Sequence, residues 1–157
     1  LTIDGEELTF PCSRSALIAC LGAPRRELGS EVNTLLVWDQ LGLVVYVRPG
    51  ETSVHSLLIA VAPKKKTILF PWEFWPKQLF DGEFAVAGSL LTRETTSKEL
   101  RLSGFIRSYP EHKSSIWERP AGGNTVMVQL GSGGTGIEFI SIGFSSKKQN
   151  GAANKTD

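Results

Sequence analysis

The side chains best suited to chemistry in this chain are few and scattered. Two cysteines, Cys12 and Cys20, bracket a short helical pattern. A thiol at a helix start can be held as the reactive thiolate, so Cys12, with Ser13 beside it, is the first nucleophile to consider. A nucleophile also needs a base within hydrogen-bond reach and a third group to orient that base. The two histidines are His55, in a strand-like run, and His112, in a loop-like one, and no motif ties either to Cys12 or Ser13. Neither Gly-x-Ser-x-Gly nor His-Glu-x-x-His occurs. There is no Cys-x-x-Cys pair and no His-x-x-x-His spacing, so a zinc site has no ligand set. Gly131-Ser132-Gly133-Gly134-Thr135-Gly136 is glycine-rich but lacks the Gly-Lys-Ser/Thr ending. A strand-like segment follows it where a phosphate loop would open a helix, so it reads as a hairpin tip. These residues predict a non-enzymatic protein with no catalytic residue and no cofactor.

Residues suited to binding are easier to find. Phe70-Pro71-Trp72-Glu73-Phe74-Trp75-Pro76 places four aromatics within six residues, three of them between two prolines. Tryptophan is a frequent interface anchor, and prolines lower the ordering cost of binding. Trp72, Glu73 and Trp75 are therefore candidate partner-binding residues. Trp38-Asp39 and Trp117-Glu118 each read as a tryptophan at a strand end followed by an acid at a turn. Asp39 and Glu118 could meet basic groups of a partner. Arg25, next to Arg26 in a polar loop, could meet an acidic surface. Lys64-Lys65-Lys66 is too short to mark a nucleic-acid site. With 17 basic and 16 acidic residues among 157, the chain has no electrostatic footprint for nucleic acid.

The cysteines also bear on the compartment. On one continuous helix, eight residues separate them by about 12 Å, too far for a disulfide. A bridge would need Cys12 to lie off the helix and fold back. Free thiols are expected, which favours a reducing, cytoplasmic setting. The longest apolar runs, 41–47 and 57–63, fall far short of a membrane span. No secretory signal is read at Leu1.

These candidates must be positioned by short elements. A hairpin is expected around Asp4-Gly5, and Ser13 should cap a helix to Leu21 that Gly22 ends. Strands are expected over 34–38, 43–48 and 54–62, with 24–32 a polar loop. The pattern then restarts, with a hairpin at 84–93 and a helix from Thr95 or Thr96 to Leu102. A loop over 105–114 and strands over 115–118, 125–130 and 137–144 complete it. A shift of 83 residues lays Gly5 on Gly88, Leu17 on Leu100, Val45 on Val128 and Ile59 on Ile142. The reading is an α+β fold of two tandem β-β-α-β-β-β units, each an antiparallel sheet packed with one helix, related by a pseudo-two-fold. The halves are 1–62 and 84–144, joined by an aromatic and proline-rich linker over 63–83. The polar segment 145–157 is expected to be disordered.

The hairpin glycine, the Leu21-Gly22-x-Pro24-Arg25 helix exit, Val37-Trp38-Asp39-x-x-Gly42, Phe80-x-Gly82 and Gly88 carry a resemblance. The chain resembles a bacterial family of small proteins and domains found near secreted polymorphic toxins, type VI secretion effectors among them. That resemblance implies an immunity protein, a stoichiometric inhibitor of one cognate toxin, and transfers no catalytic residue. The alternative is a small-ligand or envelope-associated binding domain with a groove between the two sheets.

Overall fold

The computed structural model describes residues 2–3, 6–7, 11–29, 34–48, 53–63, 74–86, 88–108 and 115–144, with 2–3, 6–7, 55 and 144 described as backbone alone. Lys64 to Lys66, Trp72, Glu73, His112 and the segment 145–157 lie outside the described residues.

The chain begins with a small hairpin, β1 (Thr2–Ile3) and β2 (Glu6–Glu7), followed by α1 (Arg14–Leu21). Four strands follow: β3 (Arg26–Gly29), β4 (Thr34–Trp38), β5 (Leu43–Val47) and β6 (Val54–Ala60). A second hairpin, β7 (Phe84–Val86) and β8 (Ser89–Leu91), precedes α2 (Ser97–Leu102). The last four strands are β9 (Ile106–Arg107), β10 (Ile116–Ala121), β11 (Asn124–Leu130) and β12 (Ile137–Phe144).

These strands do not form two β-β-α-β-β-β units with a sheet each. The eight long-sheet strands make one antiparallel sheet, ordered β3-β4-β5-β6-β12-β11-β10-β9. Two features separate this from the sequence expectation. Segments read as loops supply β3 and β9, the two end strands of the sheet. The halves also merge, because β6 pairs directly with β12, Leu58 lying opposite Ser141. Among the described residues the helices are two short pieces laid on one face of a mostly β structure.

That face carries the larger core. Leu36, Val45, Leu57, Ile142 and Val126 form one buried row across five strands, and Trp38, Leu43, Ile59, Ile140, Val128 and Trp117 form the next. Leu17 of α1 and Leu100 of α2 are completely buried against it, with Phe84, Val86 and Leu91 of the second hairpin. Each helix is fixed at both ends. Ser13 caps α1, its Oγ accepting from the Ala16 N–H at 3.0 Å. Thr96 and Glu99 form a reciprocal capping box on α2. Isolated bridges join Ser13 to Ser53 and Thr96 to Thr135, tying each cap to the segment before β6 or β12. At the other ends, Trp38 Nε1 donates to the Gly22 carbonyl at 2.9 Å, and Arg119 donates to the Ser103 carbonyl. Both are carbonyls that a helix end leaves without an intrahelical partner.

The opposite face has a smaller core confined to the first half: Leu35, Val37, Val44, Leu58 and Ala60, covered by Leu28, Tyr46, Phe74, Trp75 and Leu79, with Phe139 beside them. Among the described residues no helix is long and apolar enough to cross a membrane.

Candidate functional site

The segment 74–84 is a strap that passes from the small core to the large one past the β4–β5 turn and the last residue of β6. Phe74, Trp75 and Leu79 pack on the small core, while Phe80 and Phe84 reach the large one. Three sets of bonds hold it. The Arg26 guanidinium grips the Asp39 carboxylate with two bonds, Nε to Oδ2 at 2.8 Å and Nη2 to Oδ1 at 2.6 Å. Arg26 Nη2 also donates to the Trp75 carbonyl at 2.9 Å. Asp39 in turn accepts from the strap, its Oδ1 from the Lys77 N–H at 2.9 Å and its main-chain carbonyl from the Gln78 N–H at 3.0 Å. Further on, the Phe80 N–H donates to the Ala60 carbonyl at 2.8 Å, and the Ala60 N–H donates to the Gly42 carbonyl at 2.8 Å.

Gly42 makes this approach possible. Its φ is +68°, and a Cβ there would lie 2.3 Å from the Phe80 nitrogen. Only glycine combines that conformation with that clearance.

The strap forms one wall of a cleft of about 360 Å³. Val61, Phe84, Leu91, Ile137 and Ile140 give it a buried apolar floor. Asp81, Glu83 and Glu94 line its exposed rim, and Arg93 is the only basic side chain among the described lining residues. The volume is at the small end for ligand pockets, and an apolar floor with a few polar groups is their usual make-up.

The predicted binding residues are placed very differently from one another. Asp39 is 4% exposed and its carboxylate is committed to Arg26 and Lys77, so it positions the strap instead of facing a partner. The Arg26 hydrogen bond, chiefly, holds its carboxyl below the usual carboxylate range, against the opposing effect of burial. Trp75 is half-buried and meets Phe139 edge-on, ring centroids 6.4 Å apart at 78°. Arg25 is exposed, its main-chain N–H donating to the Val37 carbonyl at 2.8 Å. Glu118 is not at a turn but inside β10, half-buried, opposite Met127 on one side and Ile106 on the other. One cross-sheet row runs Arg26, Val37, Val44, Leu58, Ser141, Met127, Glu118, Ile106. Six strand spacings put Arg26 and Glu118 about 29 Å apart. The predicted residues therefore do not converge on one site.

Sequence reasoning missed Arg26 as the strap's clamp and the acidic side chains of 81–94 as a rim. Arg26 stands thirteen residues before Asp39, so no local signal in the sequence pairs the two. The hairpin expected at 84–93 was the signal for the rim, since β7–β8 pairing sets Phe84 opposite Leu91. The thiols show no catalytic geometry: Cys12 precedes the cap of α1 and Cys20 lies within it, both half-buried and free. Among the described residues no three potential metal ligands come together.

At the sequence level, a family model described as Domain of unknown function (DUF7738) matches residues 1–101. That span takes in the first half, the strap and the chain as far as α2, but not β12, which completes the cleft floor. No curated protein and no solved structure matches the chain.

Proposed function

The chain belongs to the family described as Domain of unknown function (DUF7738), and from that premise we propose that it is a non-enzymatic protein-binding inhibitor. In this reading it is an immunity protein that neutralises a cognate bacterial toxin, a type VI or other polymorphic effector, by stoichiometric binding. The observation that supports it is the β9 end of the sheet. Leu102 is 79% exposed and Ile106 is 72% exposed, four residues apart across the turn that leaves α2. Ile106 also sits opposite Glu118. Ile106 beside Glu118 on the small-core face, and Leu102 at the exit of α2 on the large-core side, are exposed aliphatics of the kind that a protein partner can desolvate at a sheet end. Inhibition would act in the cytoplasm of the cell that makes the protein, a setting in keeping with two free thiols.

The test is a binding titration against the product of the adjacent gene. Leu102→Asp and Ile106→Asp should each weaken binding by about 2 kcal/mol or more. Their exposed positions should keep folding stability within about 0.5 kcal/mol of the unmodified protein. If both variants bind normally, the β9 end is not the interface. If no adjacent product binds the unmodified chain, the inhibitor reading falls.

The cleft favours a second reading, a small-ligand binding domain. It lies on the large-core side of the eight-stranded sheet, where Ile137 and Ile140 of β12 face Phe84 and Leu91 of the two-stranded β7–β8 sheet, with the strap and the β8–α2 connection at its mouth.

A further inference from the structure

We propose that the cleft beside the strap binds small organic cations: an ammonium or guanidinium carried on an apolar, preferably aromatic, body. This rests on the second reading above and names its ligand class.

Shape and charge carry the argument together. The floor is hydrocarbon: Val61, Leu91, Ile137 and Ile140 are all buried, and Phe84 is buried among them. Phe80 lines the strap side and is only half-buried. An apolar body placed there removes its own surface and that of the floor from water. Aromatic side chains in a lining also favour a cation over a neutral group of the same shape.

The rim then selects the sign of the charge. Asp81, Glu83 and Glu94 are exposed, and none of them has a partner among the described residues. Among the described lining residues Arg93 offsets one of the three, leaving two net negative charges. A bound cation would therefore gain from carboxylates already in place, with no ion pair among the described residues to break. An anion would meet repulsion over the same floor. The rim groups face water, so the discrimination is modest and fades as salt rises. The volume of about 360 Å³ limits the ligand to a body of one ring or a short chain.

The strap's anchoring supports a preformed site. Phe80 is pinned to Ala60, and Gly82 allows the Phe80 ring to fold back over it, since a Cβ at Gly82 would lie 2.7 Å from that ring.

The experiment is amide chemical-shift titration of the full chain at low ionic strength with three probes of one size: 2-phenylethylammonium, neutral 2-phenylethanol and anionic 3-phenylpropionate. The ammonium should shift the amides of Gly82, Thr92 and Ile137 with a millimolar dissociation constant, as expected for so small a ligand. It should bind about fivefold more tightly than the alcohol, and the anion should bind weakest. Asp81→Asn combined with Glu94→Gln should bring the ammonium down to the affinity of the alcohol and leave the alcohol unchanged. Both substitutions are exposed and isosteric, so folding is not at stake. Equal binding of ammonium and alcohol would overturn the cation class while leaving a ligand pocket in place. Failure of all three probes to shift cleft amides at millimolar concentration would overturn the pocket reading as well.

Discussion

Arg26 and Asp39 hold each other by a two-point contact, at 2.8 and 2.6 Å, while each also bonds the main chain of residues 75–78. The pair therefore joins β3, the β4–β5 turn and the strap in one buried arrangement. Asp39 lies almost wholly within the protein and Arg26 is only partly covered, so removing the carboxylate charge leaves a guanidinium poorly compensated.

Asp39→Asn should cost about 2–3 kcal/mol of folding stability, because the buried partner is lost but Arg26 keeps some contact with water. The pH dependence follows from the lowered carboxyl of the folded state. Its contribution is complete above the unfolded-state value of about 3.9 and is lost as pH falls through the folded-state value. Chemical denaturation should show a constant gap between the two proteins from neutral pH down to about pH 5, narrowing below pH 4. A gap that grows on acidification would contradict the assignment.

Gly42→Ala should lower stability by about 2–4 kcal/mol, from positive φ and the overlap with the Phe80 main chain together. For a chain of this size the melting temperature should fall by roughly 2–4 °C per kcal/mol. Amide exchange should show Phe80 opening more readily than the β5–β6 ladder, since the strap is what must move. A melt unchanged from that of the unmodified protein would show that the strap does not sit where described.

Trp38→Phe and Arg119→Ala each remove a donor from the C-terminal carbonyl of one helix. Loss of the hydrogen bond should cost about 1 kcal/mol in each case, with some further loss of packing. The two lie five strands apart in the sheet, so the double variant should lose the sum of the single effects within about 0.5 kcal/mol. A strongly non-additive double variant would mean that the helices are coupled through the core.

Both cysteines should titrate as thiols in the denatured, unreduced protein. In the native state Cys12 should react slowly with a disulfide reagent at pH 8. Burial pushes its thiol up, Cys20 nearby adds to the effect, and a backbone hydrogen bond opposes it, leaving less of the reactive thiolate. Comparison with Cys12→Ser isolates its rate. A Cys12 that reacts as fast as a free thiol would show it to be unshielded.

The sequence by itself determined the local elements. Ser13, Gly22, Thr96 and Glu99 are capping chemistry that acts within a few residues: α1 begins and ends where Ser13 and Gly22 put it, and α2 begins where Thr96 and Glu99 do. The β-branched run of β5 and the alternation in β11 likewise mark strands, because a half-buried pleat has a period of two. Arg26-Glu27-Leu28-Gly29 reads as loop because an end strand has one unpaired edge and a half-wet face, so it needs no apolar pattern. The alternation of Leu57, Ile59 and Val61 predicts a strand with one buried face, but Leu58 and Ala60 are buried as well, because β6 lies at the centre of the sheet with a core on each side. Only tertiary structure decided what β6 pairs with. Period-two alternation says that a strand has a core side, but hydrogen bonding along its edges is the same for any partner, and here the partner lies 83 residues away. The same holds for the candidate sites. Asp39 is a clamp and Glu118 a surface residue because of what the sheet brings beside each, although the two follow tryptophans in the same way. The cleft takes both levels: the local β7–β8 hairpin sets Phe84 opposite Leu91, while only the tertiary approach of Phe80 to Gly42 brings the strap against the sheet.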